Sequence, residues 1–158
     1  MTISRTLLFG LVSASALSAC TMTAGNGSKG NGLIELPSAY TVSETLDKVT
    51  AAGAALGFGV AARIDHAKAA QGAGLELRPT EVLLLGNPNG GTPLMQCAQT
   101  VAIDLPMKFL AYQDAAGQVT LAYNDPMYLK QRHNAQGCDE AFAKASTALN
   151  KIATEAVK

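Results

Sequence analysis

Cys97 and Cys138 carry the most specific chemistry in this 158-residue chain. In an oxidising compartment, two cysteines without a Cys-x-x-Cys spacing favour a disulfide. This bond would close a loop of about 40 residues and stabilise the fold by roughly 4 kcal/mol. Two alternatives stay open. Either Cys97 is a buried free thiol on one helix stripe with Leu94 and Val101, or the cysteines carry metal or redox chemistry.

A copper site is the sharper of these alternatives, because soft ligands lie near the cysteines in the sequence. Met95 and His133, together with two thiolates, are ligands of the kind that Cu(I) prefers. Cys138 also precedes a predicted helix, and a helix N-terminus favours a reactive thiolate. The chain has no Met-rich tract, however, and Met95 lies on a different helix face from Cys97. We therefore predict a disulfide and no bound metal or cofactor, and keep the copper or thiol redox role as an alternative.

Acid–base catalysis is a further hypothesis, with Asp65, His66, Asp104, Lys108 and Asp125 as its candidate groups. No serine stands in a Gly-x-Ser-x-Gly turn, which argues against a hydrolase of that class. Asp104 precedes Leu-Pro and Asp125 precedes Pro, and both patterns are typical of turns. Structural roles are therefore favoured over an unrecognised enzyme.

A binding function has its own candidate residues. Arg78, Lys108 and Tyr123 fall in predicted strands or strand ends, where they could build a pocket for a small acidic ligand or for a partner's carboxylates. Asp125 and His133, which follow the last strand, complete the set. The leading hypothesis is a non-enzymatic ligand- or partner-binding module.

The stretch "GNPNGGTPLM", residues 86–95, has the outline of a phosphate-binding loop. Gly86 and Gly91 have the spacing of a P-loop, but Thr92 and Pro93 stand where Lys and Ser/Thr belong. We interpret the stretch as a structural turn, with Thr92 capping a helix that starts at Pro93.

The N-terminus predicts export and lipidation. Residues 1–19 combine one Arg with a short apolar stretch, as in a secretory signal. The last three of them, with Cys20, resemble the lipobox of bacterial lipoproteins, and Thr21 replaces the Asp that often retains such proteins in the inner membrane. We expect a lipid on Cys20, a flexible tether over 20–32 and an outer-membrane location facing the periplasm.

The remaining residues, 33–158, are a usual length for one domain. Loss of Arg5 with the signal leaves 11 basic residues (12 − 1) against 12 acidic ones. Since no basic cluster is present either, nucleic acid is not an expected partner.

Apolar periodicity in this domain predicts the order β-α-β-β-α-β-β-α. This is an α+β fold with a mostly antiparallel sheet and helices on one face. The central strands are apolar on both faces, as at Leu83–Leu85 and Phe109–Leu110. A second apolar face needs a cover, and we therefore expect a homodimer. The alternative is a monomer in which the third helix covers this face.

Three spaced motifs carry a family resemblance over roughly residues 34–133: Gly-Asn-Pro-x-x-Gly-Thr-Pro-Leu-Met, Asp-Leu-Pro-x-Lys and Tyr-Asn-Asp-Pro. They resemble the family called domain of unknown function 302. The resemblance implies a small α+β domain, likened to the TATA-binding-protein fold, that is usually dimeric and has no established activity. Cys97 and Cys138 are not part of the family pattern.

Overall fold

The computed structural model of the protein describes residues 30–158. The predicted signal segment, the lipidation site Cys20 and most of the tether lie outside the described residues. The strands are β1 (Leu33–Ser38), β2 (Gly59–Asp65), β3 (Thr80–Gly86), β4 (Met107–Gln113) and β5 (Val119–Asn124). The α-helices are α1 (Val42–Ala54), α2 (His66–Gly72), α3 (Pro88–Cys97), α4 (Pro126–Arg132) and α5 (Asp139–Ala156), and a 3₁₀ helix spans Gln99–Asp104.

The five strands form one sheet in the order β1-β5-β4-β3-β2, and every neighbouring pair is antiparallel. The predicted α+β class with a single antiparallel-sheet domain is confirmed. Pro37 lies in edge strand β1, where its missing N–H costs no central ladder bond. The β4–β5 hairpin turns through Gly117, whose φ of +85° suits glycine.

Helices α1 and α5 cover one face of the sheet and enclose the core. α1 starts with the predicted capping box between Thr41 and Glu44. Leu46 from α1 and Ile152 from α5 are fully buried with Phe109 and Leu121 from the sheet. Burying each of these side chains contributes about 1.5–3 kcal/mol, so this layer supplies the main stabilisation of the domain.

The opposite face of the sheet, which we call the open face, is apolar but only partly covered. Paired residues of antiparallel strands point to the same side, and one such row crosses the whole sheet. The row consists of Ile64, Val82, Leu110, Ala122 and Glu35. Ile64 is 44% exposed, and Val82 and Leu110 are half-buried. The apolar second face predicted from the sequence is therefore present in the chain.

Three helices differ from the sequence prediction. α2 (His66–Gly72) lies between β2 and β3, where the predicted order has no helix. α3 begins at Pro88, not at Pro93, because the Asn87 side chain accepts a hydrogen bond from the Asn89 N–H and caps the helix. Pro93 consequently lies inside the helix. α4 was not predicted at all, since Asn124-Asp125-Pro126 has the composition of a turn.

Within the described range, no helix is both long enough and apolar enough to span a bilayer.

Candidate functional site

The two cysteines of the domain are joined. Cys97, the last residue of α3, forms a disulfide with Cys138, the N-cap of α5, and their Cα atoms lie 6.2 Å apart. The bond ties together two helices that are adjacent in space. While it is intact, neither sulfur is available as a thiolate ligand or nucleophile.

The soft ligands proposed for copper do not assemble around these sulfurs. Across residues 30–158, no group of three or more His, Cys, Asp or Glu side chains has a geometry that could hold a metal ion. His133 is instead engaged elsewhere, in a hydrogen-bonded cluster around Asp104.

Asp104 ends the 3₁₀ helix, and its carboxylate lies between two cationic or polar partners from the end of α4. Oδ2 is 2.6 Å from His133 Nε2, and Oδ1 is 3.1 Å from Arg132 Nη1. The other ring nitrogen, His133 Nδ1, lies 3.0 Å from Thr100 Oγ1. A Thr–His–Asp series of hydrogen bonds results, which could in principle relay a proton.

Burial and accessibility favour a structural role for this cluster. The side chains of His133 and Asp104 are only 7% and 11% exposed, and neither residue lines either cavity described below. Lys108 reinforces the same turn by donating from Nζ to the carbonyl oxygens of Asp104 and Pro106. The candidates Asp104, Lys108 and His133 therefore do converge, and together they clamp the 3₁₀ helix against β4 and α4.

The remaining predicted binding residues are separated. Arg78 donates from Nε to the carbonyl oxygen of Gln113, five residues along β4 from Lys108, a separation of about 17 Å. Tyr123 is buried on the helix-covered side of the sheet. Asp125 caps α4 by accepting a hydrogen bond from the Met127 N–H. The structure therefore does not gather Arg78, Lys108 and Tyr123 into one anion pocket.

The acid–base candidates at the other edge also have local structural roles. Asp65 caps α2 by accepting from the Lys68 N–H. His66 is the first residue of that helix and is exposed. β2 and β4 lie on either side of β3. Asp65 on β2 pairs with Glu81 near the start of β3, whereas Lys108 on β4 pairs with Leu84, three residues further along β3. These residues do not form a catalytic set.

A groove between α3 and α5 is the larger of the two cavities, with a volume of about 1400 Å³. We call it the α3–α5 groove. Its walls are largely apolar, with Leu94 and Met95 from α3 facing Ala145 and Ala148 from α5. The disulfide lies at one end. Groove walls of this apolar character are typical of binding sites for small molecules or peptide segments.

Charged side chains of α5 line the same groove. Lys144 and Lys151 contribute to it, and the Lys144 ammonium lies 2.7 Å from the Glu140 carboxylate. Both side chains of this pair are highly exposed, so the pair is screened by solvent and stabilises little. Glu140 lines the groove as well, so an occupant would meet an apolar wall and a rim of two lysines and one glutamate, which is net basic.

The family model described as "Domain of unknown function DUF302" matches residues 34–152. The chain belongs to the DUF302 family. The resemblance read from the three motifs is thereby confirmed.

A solved structure supports the DUF302 fold. The crystal structure of an uncharacterised conserved DUF302 protein from Bacillus stearothermophilus aligns with a TM-score of 0.73 over 80% of this chain and 98% of that chain. The two sequences are 20% identical, so this likeness establishes the fold alone.

Curated relatives of this DUF302 chain are longer proteins. A protein of Brucella suis named fluoride-specific ion channel is 44% identical over 104 residues, which are 66% of this chain and 41% of that protein. A Brucella abortus protein of the same name is also 44% identical over 104 residues, or 38% of its length. The DUF302 chain therefore spans about two-fifths of the relatives that it matches.

Sequence reasoning missed the contribution of α5 to both cavities. Ala141, Ala145 and Ala148 recur at helical spacing and form one wall of the α3–α5 groove. The sequence pattern that could have predicted this wall is the strip of small side chains along one face of α5, because such a strip leaves room for a neighbouring group.

Proposed function

We propose that this chain is a lipid-anchored, non-enzymatic accessory module of the bacterial cell envelope that binds a membrane-embedded partner. The α3–α5 groove carries the proposal. It combines an apolar wall with a basic rim, which suits an apolar protein segment that ends in acidic residues. The disulfide ties the two walls together at one end, so the groove is partly preorganised for binding.

The class of partner follows from the longer relatives. The Brucella relatives are named fluoride-specific ion channels, and this chain matches about two-fifths of their length. We propose that the DUF302 domain works beside such a channel, to which it is joined in one polypeptide in the relatives.

Lipidation would hold the module at the membrane surface. Cys20 follows a signal-like segment, and a tether of some 12 residues separates it from the domain. A flexible tether of that length spans on the order of 20 Å on average. The domain would thus stay close to the membrane that carries its lipid, on the periplasmic side, where an oxidising environment also favours the Cys97–Cys138 disulfide.

The open face would pair two copies of the chain. Its apolar row, in which Ile64 on edge strand β2 is 44% exposed, leaves apolar surface in water. Covering that face with a second copy removes the surface from water at about 25 cal/mol per Å². A homodimer of this kind leaves the α3–α5 groove free on the helix-covered side.

The copper and enzyme hypotheses have weaker support. Metal or redox chemistry at Cys97 and Cys138 requires reduction of the disulfide first, and His133 is committed to Asp104. An enzyme built on the Asp104 cluster would need a substrate cavity beside it, and neither described cavity is lined by Asp104 or His133.

Site-specific photo-crosslinking in the native bacterium tests the proposed partner. A photoreactive residue at Ala145, in the groove wall, should yield an adduct with the fluoride channel, identified by mass spectrometry. The same residue at Ala115, exposed in the β4–β5 turn, should yield none. Equal adducts from both positions, or no channel peptide from Ala145, would rule out the proposal.

A further inference from the structure

Tyr123 has a buried hydroxyl that the fold leaves without a well-formed hydrogen bond. The residue is 2% exposed, and its ring packs 5.4 Å from the ring of Phe109. No described group makes a well-formed hydrogen bond with its oxygen. Native proteins leave few buried polar groups without a partner, and each such group costs about 1–3 kcal/mol.

A second cavity, of about 540 Å³, lies at this hydroxyl. Tyr123 lines it from β5, and the facing wall is a polar stripe of α5 in which Ser146, Asn150 and Thr154 follow one another at four-residue spacing. The hydroxyl oxygen of Ser146 is also buried without a hydrogen-bond partner among the described residues. Two buried hydroxyls from different elements, neither with a well-formed hydrogen bond, therefore share one cavity.

Most of the polar groups around this cavity can donate hydrogen bonds. Burial raises the pKa of Tyr123, a hydrogen bond of poor geometry with the Asn150 side chain lowers it only in part, and the Asp125 carboxylate also raises it. The phenol consequently keeps its proton at neutral pH and can donate it to a hydrogen bond. Thr154 Oγ1 donates to Asn150 Oδ1 over 3.5 Å, so the amide NH₂ of Asn150 is the group of that side chain left to donate within the cavity.

Charges at the rim point the same way. Lys151 lines the cavity and belongs to no ion pair among residues 30–158. Glu155 is the one acidic side chain among the lining residues, and its carboxylate is 3.6 Å from the Lys158 ammonium. An anion in the cavity would therefore meet hydroxyl and amide donors and an uncommitted lysine.

We infer that Tyr123, Ser146, Asn150 and Lys151 form a binding site for a small monovalent anion that accepts hydrogen bonds, either a carboxylate or a halide. The hydroxyls of Tyr123 and Ser146 donate to the anion and so gain the partners that the fold does not provide. The site adjoins the α3–α5 groove, since Thr147 and Lys151 line both cavities, but it does not depend on the proposed membrane partner.

Nuclear magnetic resonance on the purified full-length protein tests this site with two probes, acetate and fluoride. The Asn150 side-chain amide signals should shift with a saturable dependence on at least one probe. Saturation with acetate alone identifies a carboxylate site, saturation with fluoride alone identifies a halide site, and saturation with both identifies a general monovalent-anion site. Tyr123→Phe and Ser146→Ala should each weaken binding by about tenfold or more, since each removes one charge-assisted hydrogen bond.

Tyr112→Phe is the matched control, because Tyr112 lies on the opposite face of the sheet and does not line the cavity. It should bind the anion like the wild type. Tyr123→Phe should keep the melting temperature of the anion-free protein, since the oxygen that it removes has no well-formed protein partner. Absence of a saturable shift with both probes, or wild-type affinity in both Tyr123→Phe and Ser146→Ala, would overturn the inference.

Discussion

The Asp104 carboxylate brings together parts of the chain that are distant in sequence, since its partners Arg132 and His133 lie 28 and 29 residues away. Asp104→Asn keeps the shape of the side chain but removes its charge, and leaves the nearly buried His133 ring without its carboxylate acceptor. We expect a loss of about 1–3 kcal/mol in the free energy of unfolding, measured by urea denaturation. Asp139→Asn is the control, because its carboxylate is 74% exposed, and it should have a much smaller effect.

Gly32 is required by its conformation and by its surroundings. Its φ is +78°, and a Cβ built there would lie 2.3 Å from the ring of Tyr128. Gly32→Ala should therefore destabilise the domain by more than about 1 kcal/mol, because alanine is strained at this φ and its Cβ would displace the Tyr128 ring. Gly30→Ala, where a Cβ meets nothing within 4 Å, should leave the urea midpoint nearly unchanged. Similar midpoints for both variants would contradict this role.

Individual residues also show where prediction from sequence ends. Asp104, Lys108 and His133 could be selected for their chemistry, and the structure does bring them together. The hydrogen bonds among these three residues depend on where β4 begins and α4 ends in space, and no local sequence pattern predicts that. The unsatisfied hydroxyl of Tyr123 was equally hidden, because it depends on which face of β5 meets α5.

Among the elements, α1 has an N-terminal capping box whose stabilising effect depends on pH. Hydrogen bonds from the Thr41 hydroxyl and from the Thr41 backbone lower the pKa of Glu44 below its ordinary value of 4.5. When the pKa of a carboxyl group is lower in the folded state, the group stabilises the protein fully at pH values above its unfolded-state pKa. This stabilisation is lost as the pH falls through the folded-state pKa. The stability advantage of the wild type over Glu44→Gln should thus be present at pH 7 and disappear towards pH 3.

Thermal melts of both proteins between pH 7 and pH 3 measure this difference. A Thr41→Ala background provides the control, since it removes the hydroxyl that interacts with Glu44. The pH dependence of the Glu44→Gln effect should be smaller in that background. An equal pH dependence with and without Thr41 would show that the capping box is not its source.

The disulfide joins α3 to α5 across a sequence separation of 41 residues. Closing a loop of that size in the unfolded chain corresponds to about 4 kcal/mol of stabilisation. We expect the double substitution Cys97→Ser and Cys138→Ser to lower the free energy of unfolding by roughly this amount. Dithiothreitol should destabilise the wild type to a similar extent and leave the double variant unchanged. If dithiothreitol, given access to the cysteines by unfolding, leaves the unfolding free energy of the wild type unchanged, the disulfide assignment is wrong.

Strong periodicity accounts for the elements that the sequence predicted well, such as α1, α5 and the β4–β5 hairpin. α4 was missed because seven residues carry little periodic signal, although Asp125 followed by Pro126 is a cap and first-turn pattern that could have revealed it. The start of α3 was misplaced because two glycines normally disfavour a helix. Gly91 is accommodated there beside Leu105, where a Cβ would be 3.5 Å from a methyl carbon.

At the scale of the whole molecule, the open face is the feature that a single chain leaves incomplete. A stable protein interface buries about 800 Å² on each partner, and a five-stranded sheet face provides an area of that order. Val82 stands near the centre of the apolar row, between Ile64 and Leu110. Val82→Arg would place a charge in the middle of the proposed dimer interface, where it would lose its hydration without gaining a partner.

We therefore expect sedimentation velocity to give a dimer for the wild-type protein and a monomer for Val82→Arg, with unchanged far-ultraviolet circular dichroism. Ile103→Arg is the matched control, because Ile103 is 74% exposed on the 3₁₀ helix, outside the sheet. It should remain dimeric. A monomeric wild type would contradict the dimer and leave the open face for another partner. A dimeric Val82→Arg variant would show that the interface lies elsewhere, because an unpaired arginine at the centre of an apolar contact is too costly to retain.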